Sequence, residues 1–339
     1  MNNSINDSIN DSIIIRNEFF NKTFLENIKK LYEYKFIDVK GQKKEVIVIP
    51  KNQFKETNFF YLYNNFPVIE VNFKVMLNES IVNYQWEKDF LTNINKTKQK
   101  MMESLKESGY LIEQFDLKLQ WRLIVGLGAS HPQETSMTLH HIFGIPYIPG
   151  SALKGASRHY MIWKFVDENE KKLSSLLDKS NFAELYAKDK SNFDELYAKF
   201  LEELNKALEN KENLLVSIES IGFEGFFKDL IHIFGTQKRQ GKIIFFDAYP
   251  IEEIKLKIDI MNPHYPDYYT KDKPPTDWQN PIPIKFLTVE DTKFRFYLAA
   301  KDKDQNLLNH ARKILNDALL NYGVGAKTSL GYGLFEESK

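Results

Sequence analysis

The chain contains no cysteine. This absence excludes disulfide bridges, thiolate nucleophiles and metal centres that use cysteine ligands, and it suits a reducing cytoplasm, where we expect the protein to act. No stretch approaches the roughly 18 consecutive apolar residues of a membrane-spanning helix. The first 17 residues are polar and lack a basic leader, and the apolar run at 13–15 is short. We therefore predict neither a signal peptide nor a membrane partner.

An excess of positive charge is also lacking. The 339 residues include 46 Lys and Arg and 46 Asp and Glu, so the formal net charge is zero. A protein that binds nucleic acid by itself usually carries a surplus of basic residues. Any contact with nucleic acid must therefore be local, or shared with neighbouring subunits that supply the rest of the positive field.

The first third of the chain contains patterns typical of disorder, of strands and of a helix. Residues 1–20 are rich in Asn, Asp and Ser, which bury too little surface to offset the entropy of ordering, so we predict a disordered tail. Residues 21–115 predict an α/β region packed on the rest of the protein. Within it, 46–49 and 68–75 predict strands, and apolar residues at helical spacing over 90–105 predict a helix that stops at Gly109.

From residue 116 the pattern is clearer. Alternation over 116–125 predicts a half-buried strand with Leu117, Leu119, Trp121 and Leu123 facing the core. A helix follows from Ser151, and an apolar stripe predicts another helix that ends before Gly323. Further strands are predicted at 243–248, 254–260, 294–299 and 331–335. This order predicts an α+β fold over 116–339 with a ferredoxin-like (RRM-like) core.

Two long insertions interrupt this core. Residues 165–225 are charged and helix-rich, and the sequence at 180–188 recurs with small changes at 191–199. Two copies are too few for a solenoid, so we predict a surface insertion. The second insertion, 261–284, contains six of the twelve prolines and four Tyr or Trp residues. Its aromatic rings suit stacking on RNA bases, a clasp on an adjacent subunit, or packing on its own domain, and the sequence does not decide among these roles.

The first chemical motif is Pro-Gly-Ser-Ala-Leu-Lys-Gly-Ala-Ser-Arg at 149–158. We predict Ser151 as the N-cap of a helix whose free first-turn N–H groups, beginning near Gly150, hold an anion. Lys154 and Arg158 are four residues apart and lie on one face, where like charges repel unless a negative group is near. A phosphate would supply that group. The alternative is a solvated basic helix start, or one paired with a carboxylate.

The second motif is the glycine-rich segment at 323–333. It is not a P-loop, because Ala326 precedes Lys327, and it is not a dinucleotide fingerprint, because Thr328 occupies the position of the third glycine. Its glycines allow backbone amides to approach a sugar–phosphate chain. The residues assigned to that contact are Gly323, Gly325, Lys327, Thr328 and Gly331. The structural alternative is a helix C-cap followed by a β-bulge.

Together these motifs resemble the signature of the RAMP superfamily (repeat-associated mysterious proteins). The turn Gly126-Leu127-Gly128, the pair His140-His141 and the segment 241–250 strengthen the resemblance. Within the superfamily, 121–128, 262–269 and 274–289 resemble the sixth subunit of type III-B CRISPR (Cmr) complexes. The resemblance covers roughly 116–339. Departures are mild: Ala152 stands where relatives often have Ser, and Ser157 where an aliphatic residue is common.

The resemblance implies a ferredoxin-like core that binds CRISPR RNA near its 3′ end and displays it to target RNA, beside other RAMP (Cmr) subunits. It implies that the helix start at 151–158 and the loop at 323–331 face the RNA backbone. Since base pairing reads the sequence, no base-specific pocket is expected.

The resemblance also bears on catalysis. Some RAMP relatives cleave CRISPR RNA with a histidine near the first helix, which points to His159, although packing or solvation suits this residue better. Others cleave target RNA with an Asp in the loop after the first strand, but 129–138 contains none. The pair His140-His141 has no third ligand at a motif spacing. We expect no catalytic residue, no metal and no cofactor, and a structural hydrogen-bonding role for Asp247. The alternative function is that of an endoribonuclease.

Overall fold

The computed structural model of the chain describes residues 79–129, 131, 135–169, 173, 204, 224–262, 274, 283–301 and 303–337, and the backbone of five earlier strands. Its helices are α1 (Lys88–Glu107), α2 (Gly150–Glu168), α3 (Glu224–Phe234) and α4 (Gln305–Asn321), with short 3₁₀ helices at Glu79–Asn83 and Thr328–Leu330. Its strands are β1 (Ser12–Arg16), β2 (Glu33–Val39), β3 (Gln42–Pro50), β4 (Val68–Ile69), β5 (Val75–Met76), β6 (Leu111–Leu119), β7 (Arg122–Leu123), β8 (Gly235–Thr236), β9 (Arg239–Gln240), β10 (Ile243–Phe245), β11 (Tyr249–Pro250), β12 (Lys255–Met261), β13 (Ile284–Glu290), β14 (Lys293–Ala300) and β15 (Phe335–Glu337).

A central antiparallel sheet organises the residues after 110. Its strand order is β10-β14-β6-β15, and β11 also pairs with β14. With α2 between β6 and β10 and α4 between β14 and β15, the chain order is strand, helix, strand, strand, helix, strand. This is the element order that the sequence predicted, and the α+β class is confirmed.

Helices lie on both faces of this sheet. Phe115 in β6 is opposite Phe296 in β14, and their rings stack 5.2 Å apart. The guanidinium of Arg312 in α4 lies 5.6 Å from the Phe115 ring centre. The other face carries Tyr249, whose ring lies 4.6 Å from the Lys98 ammonium of α1. Tyr249 is paired with Arg295, the residue before Phe296. Because cross-strand partners share a face and consecutive residues do not, α4 and α1 cover opposite faces.

A second sheet has the order β12-β13-β7. The sequence analysis missed β13 because its buried residues do not alternate: Phe286, Leu287, Thr288 and Val289 are all at most 1% exposed. A strand buried on both faces reads as a continuous apolar run, and periodicity alone does not identify it.

The strand predicted at 116–125 differs in the structure. It begins earlier, at Leu111, and breaks after Leu119, and β7 then pairs with the second sheet at Val289. Leu117, Leu119 and Leu123 are buried as predicted, but Trp121 lies at the break and is 46% exposed. The alternation rule failed there because one strand cannot remain in register while the chain changes sheets.

The remaining strands need smaller corrections. The strand predicted at 243–248 ends at Phe245 as β10, and a separate strand, β11, follows at Tyr249–Pro250. The last strand begins at Phe335 instead of 331. The predictions at 254–260 and 294–299 are confirmed by β12 and β14.

In the N-terminal region the prediction of a disordered tail is wrong for Ser12–Arg16. This segment forms β1 and pairs with β3, with Ile14 opposite Val48, because its three isoleucines match an apolar strand. The strand predicted at 46–49 lies in β3, while 68–75 contains the two short paired strands β4 and β5 instead of one strand. The rest of the tail lies outside the described residues.

The helix predicted over 90–105 is confirmed as α1, which ends at Glu107 and has Ser108 as its C-cap, before Gly109 with φ +88°. Leu91 and Ile94 are buried, whereas Phe90 and Met101 are partly exposed. Within the described residues, none of the helices has the length and apolar character needed to cross a membrane.

Most of both insertions lies outside the described residues. The helix α2 continues to Glu168, into the first insertion, and α3 begins at its end. The repeat at 180–199 is not described. The second insertion leaves β12 at Met261 and returns to β13 at Ile284, which are paired residues of a β-hairpin.

Candidate functional site

The packing of α2 against α4 brings the two predicted motifs to one end of the molecule. The ring of His159 lies 5.1 Å from that of Tyr322, and the Lys164 ammonium lies 3.6 Å from the Asp317 carboxylate. Since residue numbers rise along α2 as they fall along α4, the helices are antiparallel. The start of α2 therefore lies beside the end of α4, from which the glycine-rich segment 323–333 continues.

The first turn of α2 is capped by a residue from another element. Pro149 occupies the N-cap position, and Ser151 is an exposed residue inside the helix. The N–H of Gly150 donates to Oδ1 of Asp247 at 2.7 Å. The prediction of Ser151 as the N-cap is therefore wrong, while the structural hydrogen bond expected of Asp247 is confirmed. The protein supplies its own anion at this amide, where a helix favours negative charge.

Gly150 is buried, and its lack of a side chain has a packing explanation. A Cβ at this position would lie 2.2 Å from the carbonyl oxygen of Phe245. The close approach that this glycine permits is therefore between α2 and β10.

The next turns of α2 carry the predicted basic edge. Lys154 and Arg158 are half-buried, and Gly155 between them is exposed. A Cβ on Gly155 would meet nothing within 4 Å in the described part of the chain. Glycine inside a helix costs about 0.5–1 kcal/mol relative to alanine, and packing does not explain it here. The sequence analysis quoted Gly155 within its motif but did not select it as a site residue.

Two glycines of the second motif have structural roles. Gly323 has φ +83° and its N–H donates to Ala318 O at 2.8 Å, so the helix C-cap that the sequence offered as an alternative is confirmed there. Gly325 has φ +98°, and a Cβ would lie 2.3 Å from the carbonyl oxygen of Ile124. The backbone that approaches Gly325 closely is the chain's own.

The remaining residues of this motif form a surface turn. Lys327 adopts a left-handed conformation with φ +62°, and its ammonium lies 5.2 Å from the Phe286 ring centre. Thr328 begins the short 3₁₀ helix, which ends at the 65% exposed Leu330. Gly331 has φ +92°, but an added Cβ would have open space in the described structure. RNA contacts at these residues remain predictions.

A polar network holds the glycine-rich segment against the second sheet. The Arg122 guanidinium and the Tyr332 hydroxyl both donate to Oδ2 of Asp259, and Nε of Arg122 lies 3.5 Å from Glu290. Burial, followed by the hydrogen bond to Asp259 and the charge of that carboxylate, raises the pKa of Tyr332 to about 12. Burial opposes ionisation of Asp259, but hydrogen bonds led by that from Tyr332 outweigh it and lower its pKa. No local pattern joins residues so far apart in the sequence.

The histidines considered for chemistry have structural contacts. Nδ1 of His140 accepts the backbone N–H groups of Ile142 and Phe143 at 3.3 and 3.2 Å, and its ring stacks on Phe143 at 4.3 Å. Burial and then the charge of His141 lower the pKa of His140. Burial and then Arg158 lower the pKa of His159. Within the described residues, no three His, Asp or Glu side chains are grouped to hold a metal.

The model of the RAMP superfamily matches residues 116–336. The chain belongs to the RAMP superfamily. This RAMP chain is 40% identical over 235 residues to the CRISPR system Cmr subunit Cmr6 of Pyrococcus furiosus, covering 65% of this chain and 66% of that protein. It is 25% identical over 248 residues to the Cmr6 subunit of Saccharolobus solfataricus, covering 70% and 62%. The match spans just under two thirds of either relative.

Two solved structures are also similar. One is a chain of the cryo-EM structure of the type III-B Cmr-beta bound to cognate target RNA, with TM-score 0.46, 21% identity, and coverage of 76% of this RAMP chain and 68% of that chain. The other is the crystal structure of Cmr6 from Pyrococcus furiosus, with TM-score 0.38, 36% identity, and coverage of 68% and 98%. The family assignment rests on the sequence matches.

We predict that Asp247→Ala lowers the free energy of unfolding by about 1 kcal/mol, since it removes the acceptor of the first α2 amide. Asp247→Asn keeps an acceptor and loses only the charge, so it should cost less, about 0.3–1 kcal/mol. Urea unfolding measures both. Tyr249 also bonds Asp247, so each change is repeated in a Tyr249→Phe background. Equal stability of Asp247→Ala and the parent would contradict the capping role.

Gly325 and Gly331 form a matched pair for a second prediction, because both have φ between +90° and +100° but only Gly325 faces a backbone oxygen. Gly331→Ala should lower the free energy of unfolding by about 1–2 kcal/mol, the cost of a left-handed alanine. Gly325→Ala should lower the free energy of unfolding by clearly more, because the Ile124 carbonyl must also move. Thermal and urea unfolding of the two variants test this. Similar losses would show that the close approach to Ile124 is unimportant.

Proposed function

We propose that this chain is a non-catalytic subunit of a type III-B CRISPR (Cmr) effector complex that binds the CRISPR RNA near its 3′ end. Through the guide it would contact target RNA. The observation that carries this proposal is the antiparallel packing of α2 and α4, marked by the 5.1 Å contact between His159 and Tyr322, which puts both predicted RNA motifs at one end. The relatives named as Cmr6 support it.

The RNA-facing residues are those that packing leaves accessible. On α2 they are Ser151, Lys154 and Arg158, and on the glycine-rich segment they are Lys327, Thr328 and Gly331. The roles proposed for Gly150, Gly323 and Gly325 become indirect. Their close contacts with Phe245, Ala318 and Ile124 shape the backbone that presents the other residues.

We further propose that the central sheet is a ferredoxin-like core, which its β-α-β-β-α-β order and its β10-β14-β6-β15 arrangement support. An RRM stacks bases on the exposed face of such a sheet. Here α1 lies on the face that carries Tyr249. The RNA therefore runs along the helix start and the glycine-rich segment instead of across the sheet.

The proposed partners follow from the charge. With zero net charge the isolated chain should hold RNA weakly, and other Cmr subunits in the cytoplasm would complete the positive field around the guide. A non-catalytic role is supported by His159, which is half-buried against Tyr322, and by the absence of Asp from 129–138.

For the assembled complex we predict that Lys154→Glu with Arg158→Glu weakens RNA retention and flattens its salt dependence. Losing two phosphate contacts should reduce the slope of log K against log salt by about 1.4, from about 0.7 for each single-strand contact. Filter binding or anisotropy at several salt concentrations measures this slope.

Lys96→Glu with Lys100→Glu is the matched control. These lysines are also four residues apart on a helix, but they lie exposed on α1, on the other side of the central sheet. The control should leave the slope unchanged. A slope altered equally by both pairs would indicate a general charge effect and contradict the proposed surface.

The non-catalytic role makes a separate prediction. Labelled CRISPR RNA and complementary target RNA incubated with the purified chain, with and without Mg²⁺, should remain intact on a denaturing gel. Cleavage that persists in His159→Ala would point to another residue, and cleavage abolished by that change would establish the endoribonuclease alternative. Either result contradicts the non-catalytic proposal.

A further inference from the structure

Trp121 is a large ring left on the surface where the chain passes from the central sheet to the second sheet. It is 46% exposed, although the alternation of the sequence predicts that it faces the core. Its ring lies 4.8 Å from that of Tyr332, which belongs to the glycine-rich segment. The exposed indole therefore adjoins the surface to which the proposed function assigns RNA.

This ring is held from two sides by residues that are themselves fixed. The guanidinium carbon of Arg122 lies 5.1 Å from the centre of the Trp121 ring. Arg122 and Tyr332 both bond Asp259, and the N–H of Gly333 donates to the carbonyl of Arg122 at 2.7 Å. An aromatic side chain held this way loses little entropy when another flat group stacks on it.

We propose that Trp121 is a stacking platform for an unpaired base of the RNA bound at the glycine-rich segment. Asp259 acts as the positioning residue that holds Arg122 and Tyr332 against the indole. The inference rests on the proposed function. That function involves contacts with the RNA backbone alone, and the inference adds a contact with a base. Every base presents a π-face, so the platform accepts any base, as a guide of variable sequence requires.

The surroundings of the ring favour a nucleobase over a protein side chain. An anchor tryptophan in a protein interface usually enters a dry, apolar pocket. Trp121 is instead flanked by a guanidinium, and Asp259 and the hydroxyl of Tyr332 lie one contact away. Single-stranded RNA is commonly bound by such a combination of aromatic ring, arginine plane and polar groups.

The test uses the full-length chain and a fluorescein-labelled single-stranded oligouridine at low salt, with affinity measured by anisotropy. Trp121→Ala should weaken binding by about 5- to 100-fold, the range of one base–aromatic stack. Trp121→Phe keeps a ring and should restore most of the affinity. Intrinsic fluorescence should be quenched by unlabelled RNA in the parent, and this quenching should largely disappear in Trp121→Phe.

Two variants serve as controls, and thermal unfolding is recorded for all of them. Trp163→Ala removes another partly exposed tryptophan (36%), and Phe90→Ala removes an aromatic ring that is 37% exposed on α1. Both should bind RNA like the parent. A loss shared equally by Trp121→Ala and Trp121→Phe, with lowered midpoints, would mean a packing role and overturn the proposal.

The remaining outcomes distinguish a failure of the stacking proposal from a failure of the proposed RNA-binding function. If Trp121→Ala binds RNA like the parent while Lys154→Glu with Arg158→Glu weakens binding, the stacking proposal is wrong and the RNA-binding function stands. If Trp121→Ala binds RNA normally but no longer enters the reconstituted Cmr complex, the ring is a protein contact and the proposal is also wrong. If the parent retains no RNA at low salt, either alone or in the reconstituted Cmr complex, both are overturned.

Discussion

The contact between the glycine-rich segment and the main chain of Arg122–Val125 is the constraint on which the site depends. Ala326 N–H donates to Ile124 O at 2.8 Å, and Gly333 N–H donates to Arg122 O at 2.7 Å. Side chains at Gly325 or Gly333 would collide with backbone oxygens, at 2.3 and 1.9 Å. Because backbone atoms cannot rotate away as side chains do, this contact fixes where α4 ends, where β15 begins and which way the 3₁₀ turn faces.

Two carboxylates control the electrostatics around this contact. Asp247 takes the first amide of α2, and Asp259 takes the donors of Arg122 and Tyr332. Both satisfy internal donors that would otherwise be attractive to phosphate. The proposed RNA-binding role therefore has to use basic groups other than the first amide of α2 and the Arg122 guanidinium.

Sequence patterns predicted the helices and strands whose apolar residues recur at a regular spacing. They failed where the chain passes from one sheet to another and where a contact comes from a distant residue. The stripe of α4 was readable because Leu308, Ala311 and Leu315 recur at helical spacing, and all three are fully buried. Ser151 was assigned as a cap because its residue type favours that position, but Asp247, almost a hundred residues away, is the acceptor. Trp121 fitted the alternation of a single strand, but that strand breaks just before it. The strand β13 has no alternation of apolar and polar residues that would identify it.

The sequence by itself determined the α+β class, the order of the central-sheet strands and their two helices, and the two motifs, because these depend on periodicity and on neighbouring residues. It also determined the zero net charge on which the proposal of shared RNA binding rests. Only the tertiary structure decided that the motifs lie at one end, that Gly150 and Gly325 serve internal packing, and that Trp121 is exposed beside Tyr332. Those facts depend on contacts between residues far apart in the chain, and no local pattern encodes which distant backbone will approach a given glycine or ring.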